Sequence, residues 1–360
     1  MKLALIADTH FGVRNDNSVF LDSMERFLSK TFFPKIKELG IKRIVHLGDL
    51  VDRRKYINIA TLQRMRRCFV EPIMGMGISC DVIAGNHDEY YKNTHEVNAL
   101  DELLPDHERN FYVYTEATTV FEEHNLSDIC YIPWITDSNR KHAEDVIRNT
   151  KAQVAFGHLE LEGFELYRGQ PALHGTLDQE LLKKFELVAT GHFHHRSNRG
   201  NIHYIGAAGE YVWSDYEDPR GFSIYDTVTR TLEFVRNPEI IFWRYAYDDT
   251  QDFDLKKAKR FVEKNAAGRV VRVVVKAKTN AFYFDSIVDA IQKANPADLT
   301  VIDSAIDVDT VRLDAEMERA EDTRSLITNY VAALDVGSIS KTDLEERLLE
   351  IYDEAVSLGY

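Results

Sequence analysis

Short apolar runs in this 360-residue chain end five times at residues that can bind a metal. These runs are followed by the candidate ligands Asp8, His10, Asp49, Asn86, His158, His192 and His194. Apolar runs bounded by turn residues are typical of buried strands. Side chains at the carboxyl ends of such strands meet at one edge of a sheet, where α/β proteins bind their ligands. The pattern therefore predicts a metal cluster.

The candidate donors are two carboxylates, four imidazoles and one amide, which is too many for one tetrahedral zinc ion with an open position. Imidazole and carboxylate without thiolate suit two divalent cations, with manganese, iron and zinc all compatible. Two ions about 3.5–4 Å apart form the clamp that is used for in-line displacement at phosphorus. Asp49 lies between the other ligand groups along the chain, so we expect it to bridge both ions. Glycines next to the ligands should let these side chains crowd together: Gly48, Gly85, Gly157 and Gly191.

The order and spacing of the motifs resemble the calcineurin-like metallophosphoesterase superfamily. The motifs are Asp8-x-His10, Gly48-Asp-x-x-Asp52, Gly85-Asn-His-Asp88, Gly157-His158 and Gly191-His-x-His194. Within the superfamily, the chain is similar to nuclease subunits of DNA double-strand-break repair complexes, of the bacterial SbcCD type and above all of T-even bacteriophages. That likeness covers roughly the first 240 residues well and the remainder in layout only. It extends to Ile132-Pro-Trp134, Gly157–Phe164 and Asp218–Phe222.

The resemblance implies two ligand sets. One consists of Asp8, His10, Asp49 and His194, and the other of Asp49, Asn86, His158 and His192. It also implies that His87 lies beside the scissile phosphate, where it protonates the leaving oxygen or stabilises negative charge. Imidazole suits both roles because it titrates near neutral pH. Asp52 is expected to accept a hydrogen bond from His87, with a turn or cap role as the alternative.

The formal net charge of −15 is unusual for a protein that would bind DNA. DNA binding is driven by phosphate neutralisation, so we expect a locally basic rim or a partner. The candidate DNA contacts are Arg53, Arg54, Lys92 and Arg196, with Arg199 in a further loop. For Arg64, Arg66 and Arg67 on the next predicted helix, a solvated face is the favoured interpretation. Tyr90 and Tyr91 suit either base stacking or core packing.

The cysteines and the lengths of the apolar runs indicate the cellular compartment of the protein. Cys68, Cys80 and Cys130 are odd in number and form no Cys-x-x-Cys motif, which favours buried thiols in a reducing cytoplasm. No run of about 18 apolar residues occurs, so we expect no membrane span. A ligand as early as position 8 also argues against a signal peptide, because its removal would destroy the site.

Strands predicted near 2–7, 41–47 and 79–84 alternate with amphipathic helices near 18–38 and 59–76. Residues 111–236 are richer in strand, with helices near 138–149 and 178–184. We expect an α/β protein in which two mixed sheets are flanked by helices, a four-layer metallophosphoesterase sandwich. The predicted domains are a nuclease domain at 1–238, a small α/β module at 239–312 and a helical tail at 313–360.

The C-terminal part carries no catalytic motif. By resemblance, residues 239–312 form a cap that positions DNA over the metals, whereas a dimerisation or purely stabilising module is the alternative. The tail contains two amphipathic helices, the first with Leu326, Ile327, Tyr330, Val331 and Leu334 on one face. The second begins at an expected capping box, Thr342–Glu345. In similar proteins such a tail docks on the coiled coil of an SMC-like ATPase.

The donor set and the resemblance together predict a manganese-dependent DNA phosphodiesterase. The resemblance alone implies exonuclease action on duplex ends, endonuclease action on single strands, and the cytoplasm of a bacterium or of a phage-infected host. No Gly-x-x-x-x-Gly-Lys-Ser/Thr loop occurs, so ATP hydrolysis is expected of the partner. The resemblance also implies a homodimer, with Phe69–Met76 as a candidate interface or as core. A phosphatase or small-molecule phosphodiesterase of the same superfamily is the first alternative, because Gly48–Arg53 resembles a phosphatase motif. A non-catalytic scaffold is the second.

Overall fold

A computed structural model describes residues 1–104, 110–120, 128–250, 252–303, 331 and 340–357. Its strands up to residue 171 are β1 (Lys2–Ile6), β2 (Arg43–His46), β3 (Ser79–Ile83), β4 (Glu89–Tyr91), β5 (Thr94–Asn98), β6 (Phe111–Tyr114), β7 (Thr118–Val120), β8 (Ile129–Ile132), β9 (Val154–His158), β10 (Glu165–Tyr167) and β11 (Gln170–Pro171). The later strands are β12 (Leu187–Gly191), β13 (Ser197–Arg199), β14 (Ile202–Tyr204), β15 (Gly221–Asp226), β16 (Thr231–Arg236), β17 (Phe242–Asp248), β18 (Val270–Ala277) and β19 (Asp298–Asp303).

Two long helices contain a π-helical turn in the middle. They are α1 (Ser18–Phe27, Leu28–Phe32 and Phe33–Glu38) and α2 (Ile59–Met65, Arg66–Val70 and Glu71–Met76). The others are α3 (Ala99–Leu103), α4 (Arg140–Asn149), α5 (Leu255–Ala266), α6 (Ala281–Lys293) and α7 (Lys341–Ser357). Single helical turns occupy Val13–Asp16, Gln179–Lys184 and Trp213–Asp215. None of the helices within these described ranges is long and apolar enough to cross a membrane.

The two large sheets are mixed, as predicted. The first has the order β16-β15-β1-β2-β3-β6, in which β1, β2, β3 and β6 run parallel. The second has the order β13-β14-β12-β9-β8-β7, with β14, β12, β9 and β8 parallel. All five apolar runs that precede the candidate ligands are parallel strands of these sheets, so their carboxyl ends lie at one edge of each sheet.

The apolar runs are uninterrupted because both faces of each central strand are buried. In β1, Leu3 and Leu5 face the second sheet, whereas Ala4 and Ile6 face the helices. The core between the sheets is completed by residues such as Tyr131 and Phe156. Helices α1 and α2 cover the outer face of the first sheet, and α4 covers that of the second. The result is the predicted order of helix, sheet, sheet and helix.

The C-terminal module has the predicted sequence of strand, helix, strand, helix and strand. Its three strands are parallel in the order β17-β18-β19 and share a core with α5 and α6. Along β18, Val271 and Val273 face this core. Arg272 between them lies over the ring of Trp213 at 4.1 Å, which joins the module to the large domain.

Most of the predicted tail lies outside the described residues, including Leu326, Ile327, Tyr330 and Leu334. Helix α7 lies within them and begins at Lys341, after the hydroxyl of Ser340 accepts a hydrogen bond from the backbone N–H of Asp343 at 3.3 Å. The predicted capping box at Thr342–Glu345 is therefore wrong, because Ser340 occupies the capping position and Thr342 is already helical.

Candidate metal centre

Four of the seven candidate ligands have left-handed backbone conformations. The φ angles are 51° at Asp8, 43° at His10, 56° at Asp49 and 87° at His192. Such conformations are uncommon for residues with a Cβ and persist where the surrounding structure enforces them, often at functional sites. Each follows the carboxyl end of a buried parallel strand. The backbone therefore turns abruptly at each of these points and directs the side chains to a common place.

The first group of candidate ligands contains Asp8, His10 and His194, whose donor atoms lie within 4.8 Å of one another. The Nε2 atoms of His10 and His194 are 3.1 Å apart. The carboxylate of Asp8 accepts a hydrogen bond from the backbone N–H of His192 at 3.1 Å, which ties this group to the fifth motif. Asp49 Oδ2 is 3.7 Å from His10 Nε2.

The second group is built around the side-chain oxygen of Asn86. This Oδ1 atom is 3.0 Å from Nε2 of His158 and 3.0 Å from Nδ1 of His192. Asp49 Oδ2 lies 3.5 Å from His158 Nε2, and it is the same oxygen that faces His10. Asp49 is thus shared between the two groups, as expected of a bridging carboxylate. The structure brings all seven candidates together, although their division between two ions stays a prediction.

The donor set fits divalent cations on its own chemistry. The Nδ1–H of His158 donates to the carbonyl oxygen of Leu47 at 2.7 Å, so Nε2 is the ring nitrogen that faces Asp49 and Asn86 and would bind a cation in place of a proton. Fixing a ligand tautomer through a backbone carbonyl is the usual arrangement at metal sites. Imidazole nitrogens that face one another and a carboxamide oxygen, at about 3 Å, bring lone pairs together in a way that a shared cation stabilises.

The electrostatics of the buried groups agree with this picture. Burial opposes the charge of Asp49, but His158, His87 and His10 hold its pKa well below the usual range. Burial also opposes protonation of His158, yet Asp49 raises its pKa to about 9. Burial and the charge of Arg220 lower the pKa of His194 to about 3. Asp49 therefore stays anionic and His194 stays neutral, which are the states in which each can bind a metal.

His87 lies at the edge of the cluster and is half-buried. Its backbone N–H donates to Asp49 Oδ1 at 2.8 Å, and its ring meets that of His10 edge-on with centroids 4.8 Å apart. The acceptor for His87 Nδ1 is the main-chain carbonyl of Asp52, at 2.6 Å. The carboxylate of Asp52 instead lies 3.7 Å from His10 Nδ1. The backbone carbonyl of Asp52 thus accepts a hydrogen bond from His87, and the hydrogen bond expected to the Asp52 carboxylate stays a prediction.

Two of the glycines permit the close approach of the ligand loops. Gly48 has φ +94°, and a Cβ there would clash with the imidazole of His158. At Gly85, a Cβ would clash with the backbone nitrogen and the carboxylate of Asp49. Neither position tolerates a side chain without displacing a candidate ligand, in agreement with the sequence analysis.

Asp88 is a supporting residue to which the sequence analysis gave no role. Its buried carboxylate accepts hydrogen bonds from the backbone N–H groups of Asp49 at 2.8 Å, Leu50 at 3.0 Å, Val51 at 3.2 Å and Gly85 at 2.9 Å. It therefore holds the loops of the second and third motifs together. Its presence in the motif Gly85-Asn-His-Asp88 was the signal in the sequence.

Three further supporting residues surround the ligands. The hydroxyl of Tyr211 donates to the backbone carbonyl of Asp8 at 2.7 Å, and its position had no signal in the sequence. The indole of Trp134 packs on the His192 ring with centroids 4.8 Å apart. Arg220 donates to the carbonyl of His194 and forms an ion pair with the buried Asp215. Trp134 and Arg220 both belong to segments that carried the family resemblance.

The predicted DNA contacts have different surroundings. Arg53 binds Asp16 at 2.9 Å, and Lys92 is exposed in the turn between β4 and β5. Arg54 is half-buried close to Glu89. Arg196 is partly buried with its guanidinium 4.5 Å from the ring centre of Phe234. Whether these residues touch DNA stays a prediction.

Three of the other basic residues have structural partners. Arg64 and Arg67 form ion pairs with Glu25 on α1 at 2.6 and 2.8 Å, so they join two helices and do not simply face solvent. Arg199 was expected in a loop. It lies instead in strand β13, because this segment pairs with β14. Its side chain donates to the carbonyl of Gly163 at 2.6 Å.

The model of the calcineurin-like phosphoesterase family matches residues 1–196, which contain all seven candidate ligands. The chain belongs to this family. It is therefore a metal-dependent phosphoesterase, and its buried cluster of histidines and aspartates is compatible with the two-metal site of such enzymes.

The chain is also similar to a phage protein along its whole length. It is 30% identical over 360 residues to exonuclease subunit 1 of Enterobacteria phage T4, covering 99% of each protein. Among solved structures, an archaeal phosphodiesterase is 13% identical with a TM-score of 0.35, covering 66% of this chain and 99% of that one. A Vps29 variant from Entamoeba histolytica is 15% identical with a TM-score of 0.28, covering 66% and 98%. Neither structural likeness is strong enough to say more about this chain.

Proposed function

We propose that this phosphoesterase is a manganese-dependent DNA exonuclease and endonuclease. It would act as the nuclease subunit of an ATP-driven complex for DNA end processing and recombination repair. One observation supports this most: seven donors form two groups that share Asp49, in a chain that is similar end to end to a protein named as an exonuclease subunit. The phage relative also suggests the host cytoplasm as the compartment.

The ligands for one ion would be Asp8, His10, Asp49 and His194, and those for the other Asp49, Asn86, His158 and His192. Bound divalent cations supply Lewis-acid charge that activates water and stabilises the phosphoryl oxygens. Four imidazoles with carboxylate and amide oxygens, and no thiolate, suit Mn²⁺. Mg²⁺, Fe²⁺ and Zn²⁺ remain alternatives for the metal analysis.

His87 would handle the proton of the leaving group. Because its Nδ1–H is committed to the carbonyl of Asp52 at 2.6 Å, Nε2 is the ring nitrogen that exchanges a proton with the substrate. The backbone bond from His87 to Asp49 fixes the distance between this imidazole and the ligands. A 3′-alkoxide is a poor leaving group, so proton donation from His87 accelerates departure of the oxygen. Asp52 would thus assist catalysis through its main chain.

We base the proposed partner on a motif that the sequence does not contain and on the similarity to the phage protein. The sequence has no phosphate-binding Gly-x-x-x-x-Gly-Lys-Ser/Thr loop, so an SMC-like coiled-coil ATPase would supply ATP hydrolysis. We assign the docking of this partner to the tail 313–360 and the capping of DNA to 239–312. The net charge of −15 makes help with DNA binding from such a partner useful.

We also propose that the protein forms a homodimer, through an interface other than the candidate segment Phe69–Met76. Phe69, Val70 and Ile73 are buried in the core of the chain itself, so they cannot provide the interface. Within Phe69–Met76 the exposed apolar side chain is Met74. Sedimentation of the purified protein would measure the oligomeric state directly.

The test is degradation of an end-labelled DNA duplex and of a single strand with added manganese. Asp49→Ala and His87→Ser should both abolish cleavage, while His87→Ser retains bound metal. His174→Ser, at an exposed site remote from these motifs in the chain, serves as the matched control and should cleave like wild type. Turnover of a phosphopeptide or an aryl phosphodiester without any DNA cleavage would instead support the phosphatase or small-molecule alternative.

A further inference from the structure

Three tyrosines lie on the chain segments that flank His87, and they have no role in the mechanism above. Tyr56 is 64% exposed and Tyr91 is 48% exposed, whereas most of the chain's large aromatic residues are buried or half-buried. Tyr90 is half-buried and meets the ring of Tyr91. Exposing large aromatic rings costs hydrophobic free energy, so such a group next to an active site marks a binding surface. We call Tyr56, Tyr90 and Tyr91 the tyrosine platform.

Cation–π contacts occur both between and within the two chain segments that carry the platform. Lys55 Nζ lies 5.9 Å from the ring centre of Tyr90, and the Tyr90 and Tyr91 rings meet edge-on at 4.7 Å. The guanidinium of Arg53 lies 5.0 Å from the ring centre of Tyr56. The loop that follows the second motif and the hairpin β4–β5 thus form one surface on which aromatic rings and positive charges alternate.

Both segments are attached to His87 at its two sides. The loop begins directly after Asp52, whose carbonyl accepts the His87 Nδ1–H at 2.6 Å. The hairpin begins at Glu89, two residues after His87. The platform is thus carried by the two chain segments that flank His87, where nucleotides next to the scissile phosphate would bind.

The chemistry of the platform selects unpaired nucleotides. Arg53 is already bound to Asp16, but Lys55 and Lys92 are exposed cations on the same surface and can attract phosphates. Exposed aromatic rings stack on the faces of bases, which a duplex hides within its own stack. We propose that the tyrosine platform is a base-stacking site for single-stranded DNA next to the scissile phosphate. This inference rests on the proposed nuclease function and adds a preference for unpaired ends.

Binding without cleavage tests the platform directly. The probe is a short single-stranded deoxyoligonucleotide that contains 2-aminopurine, a base whose fluorescence responds to stacking, mixed with the full chain in EDTA. The variants are Tyr56→Ala with Tyr91→Ala, the same pair changed to Phe, and Tyr112→Ala as a control. Tyr112 is also exposed but lies on β6, paired with Asp81 in the middle of β3 and away from the ligand edge.

We expect the double alanine variant to bind the single strand about tenfold more weakly and to lose the stacking signal, because two ring contacts disappear. The double phenylalanine variant keeps its rings and should bind like wild type. The loss should be larger for the single strand than for a blunt duplex. Thermal unfolding of each variant verifies the fold, which these exposed positions should not disturb.

Three results would overturn the platform: unchanged affinity and fluorescence in the double alanine variant, an equal loss in Tyr112→Ala, or an equal loss for the blunt duplex. A partner-protein surface would give the first of these. Manganese-dependent cleavage by wild type separates the two proposals. If wild type binds and stacks the strand but cleaves no DNA, the nuclease proposal fails. If it cleaves DNA while the alanine variant binds normally, the platform alone fails.

Discussion

Replacing Asp88 by asparagine tests whether this residue holds the metal centre in shape. The carboxylate Oδ1 accepts N–H groups of Leu50 and Val51, and Oδ2 accepts those of Asp49 and Gly85. Asparagine is nearly the same size, but only one of its two polar atoms accepts hydrogen bonds. Its NH₂ group would face two backbone N–H donors, so one pair of hydrogen bonds is lost whichever way the amide is turned.

The magnitude follows from the lost pair. Burial and the charge of Asp49 raise the pKa of Asp88 to about 7, so the carboxylate is largely charged at about pH 8. At that pH a hydrogen bond to the charged group contributes about 1.5–3 kcal/mol, so the loss of two amounts to about 3–6 kcal/mol of unfolding free energy. The site is fully buried, so water cannot replace the missing acceptor. The freed N–H groups are those of Asp49 and Gly85 in one amide orientation and those of Leu50 and Val51 in the other, so in either case the loop that carries the shared ligand Asp49 loses hydrogen bonds and should move. Metal affinity is therefore expected to fall together with stability.

Urea denaturation of Asp88→Asn, wild type and Asp145→Asn measures the stability change, and titration calorimetry with manganese measures the affinity. Asp145 lies on the exposed face of α4, where it binds Lys141, so the same substitution should leave both quantities at their wild-type values. If Asp88→Asn differs from wild type by less than about 1 kcal/mol, the size of an ordinary substitution, the bracing role is wrong.

Three other perturbations have expected outcomes. Gly48→Ala should lower manganese affinity or activity about 10–100-fold, because the added Cβ displaces His158. Gly40 has a similarly left-handed φ of +62° but lies in open space, so Gly40→Ala should strain the backbone without lowering activity. Activity assays of both variants measure the difference. In urea denaturation, His95→Gln should destabilise the protein more at about pH 6 than at about pH 9. Burial lowers the pKa of His95, but the hydrogen bond and the charge of Glu89 outweigh burial and raise it. The charged pair therefore stabilises the fold below about pH 6.5, and this contribution is lost as the pH rises through the folded-state pKa. Manganese at 100 times its Kd should add about 2.7 kcal/mol of stability to wild type and none to Asp49→Ala, which thermal unfolding in EDTA and in manganese would show.

Much of the fold could be predicted because the strands that carry the ligands are buried on both faces. The apolar runs that become β1, β2 and β3 leave no ambiguity between strand and loop, and their lengths exclude helices. In the C-terminal module, the expected strand, helix, strand, helix and strand all occur near their predicted positions. The helical segment expected near 178–184 is confirmed as the 3-10 helix Gln179–Lys184, whose six residues are too few for a stable α-helix.

The surroundings of the ligands could not be predicted, because they depend on contacts between distant residues. The sequence does not indicate that the guanidinium of Arg196 lies over Phe234 or that Arg199 donates to the carbonyl of Gly163, because both contacts join distant parts of the chain. Asp52 has the acid that suits a partner of His87, but no pattern in the sequence indicates that its backbone carbonyl accepts a hydrogen bond from that imidazole. No local pattern reports which atom of a residue faces a neighbour 35 positions away.

The strained backbone of the ligands shows how the site is kept in place. Asp8 and His10 adopt left-handed conformations, and their N–H groups donate to the carbonyls of Gly48 and Asp49 at 3.0 and 3.1 Å. Each motif loop thus supplies the hydrogen bonds that stabilise the strain of the other. Conformations of this kind cost about 1–3 kcal/mol each, and several in one cluster must be held by the fold before a metal arrives. The centre is therefore preorganised, and removal of metal should lower its stability without unfolding these loops.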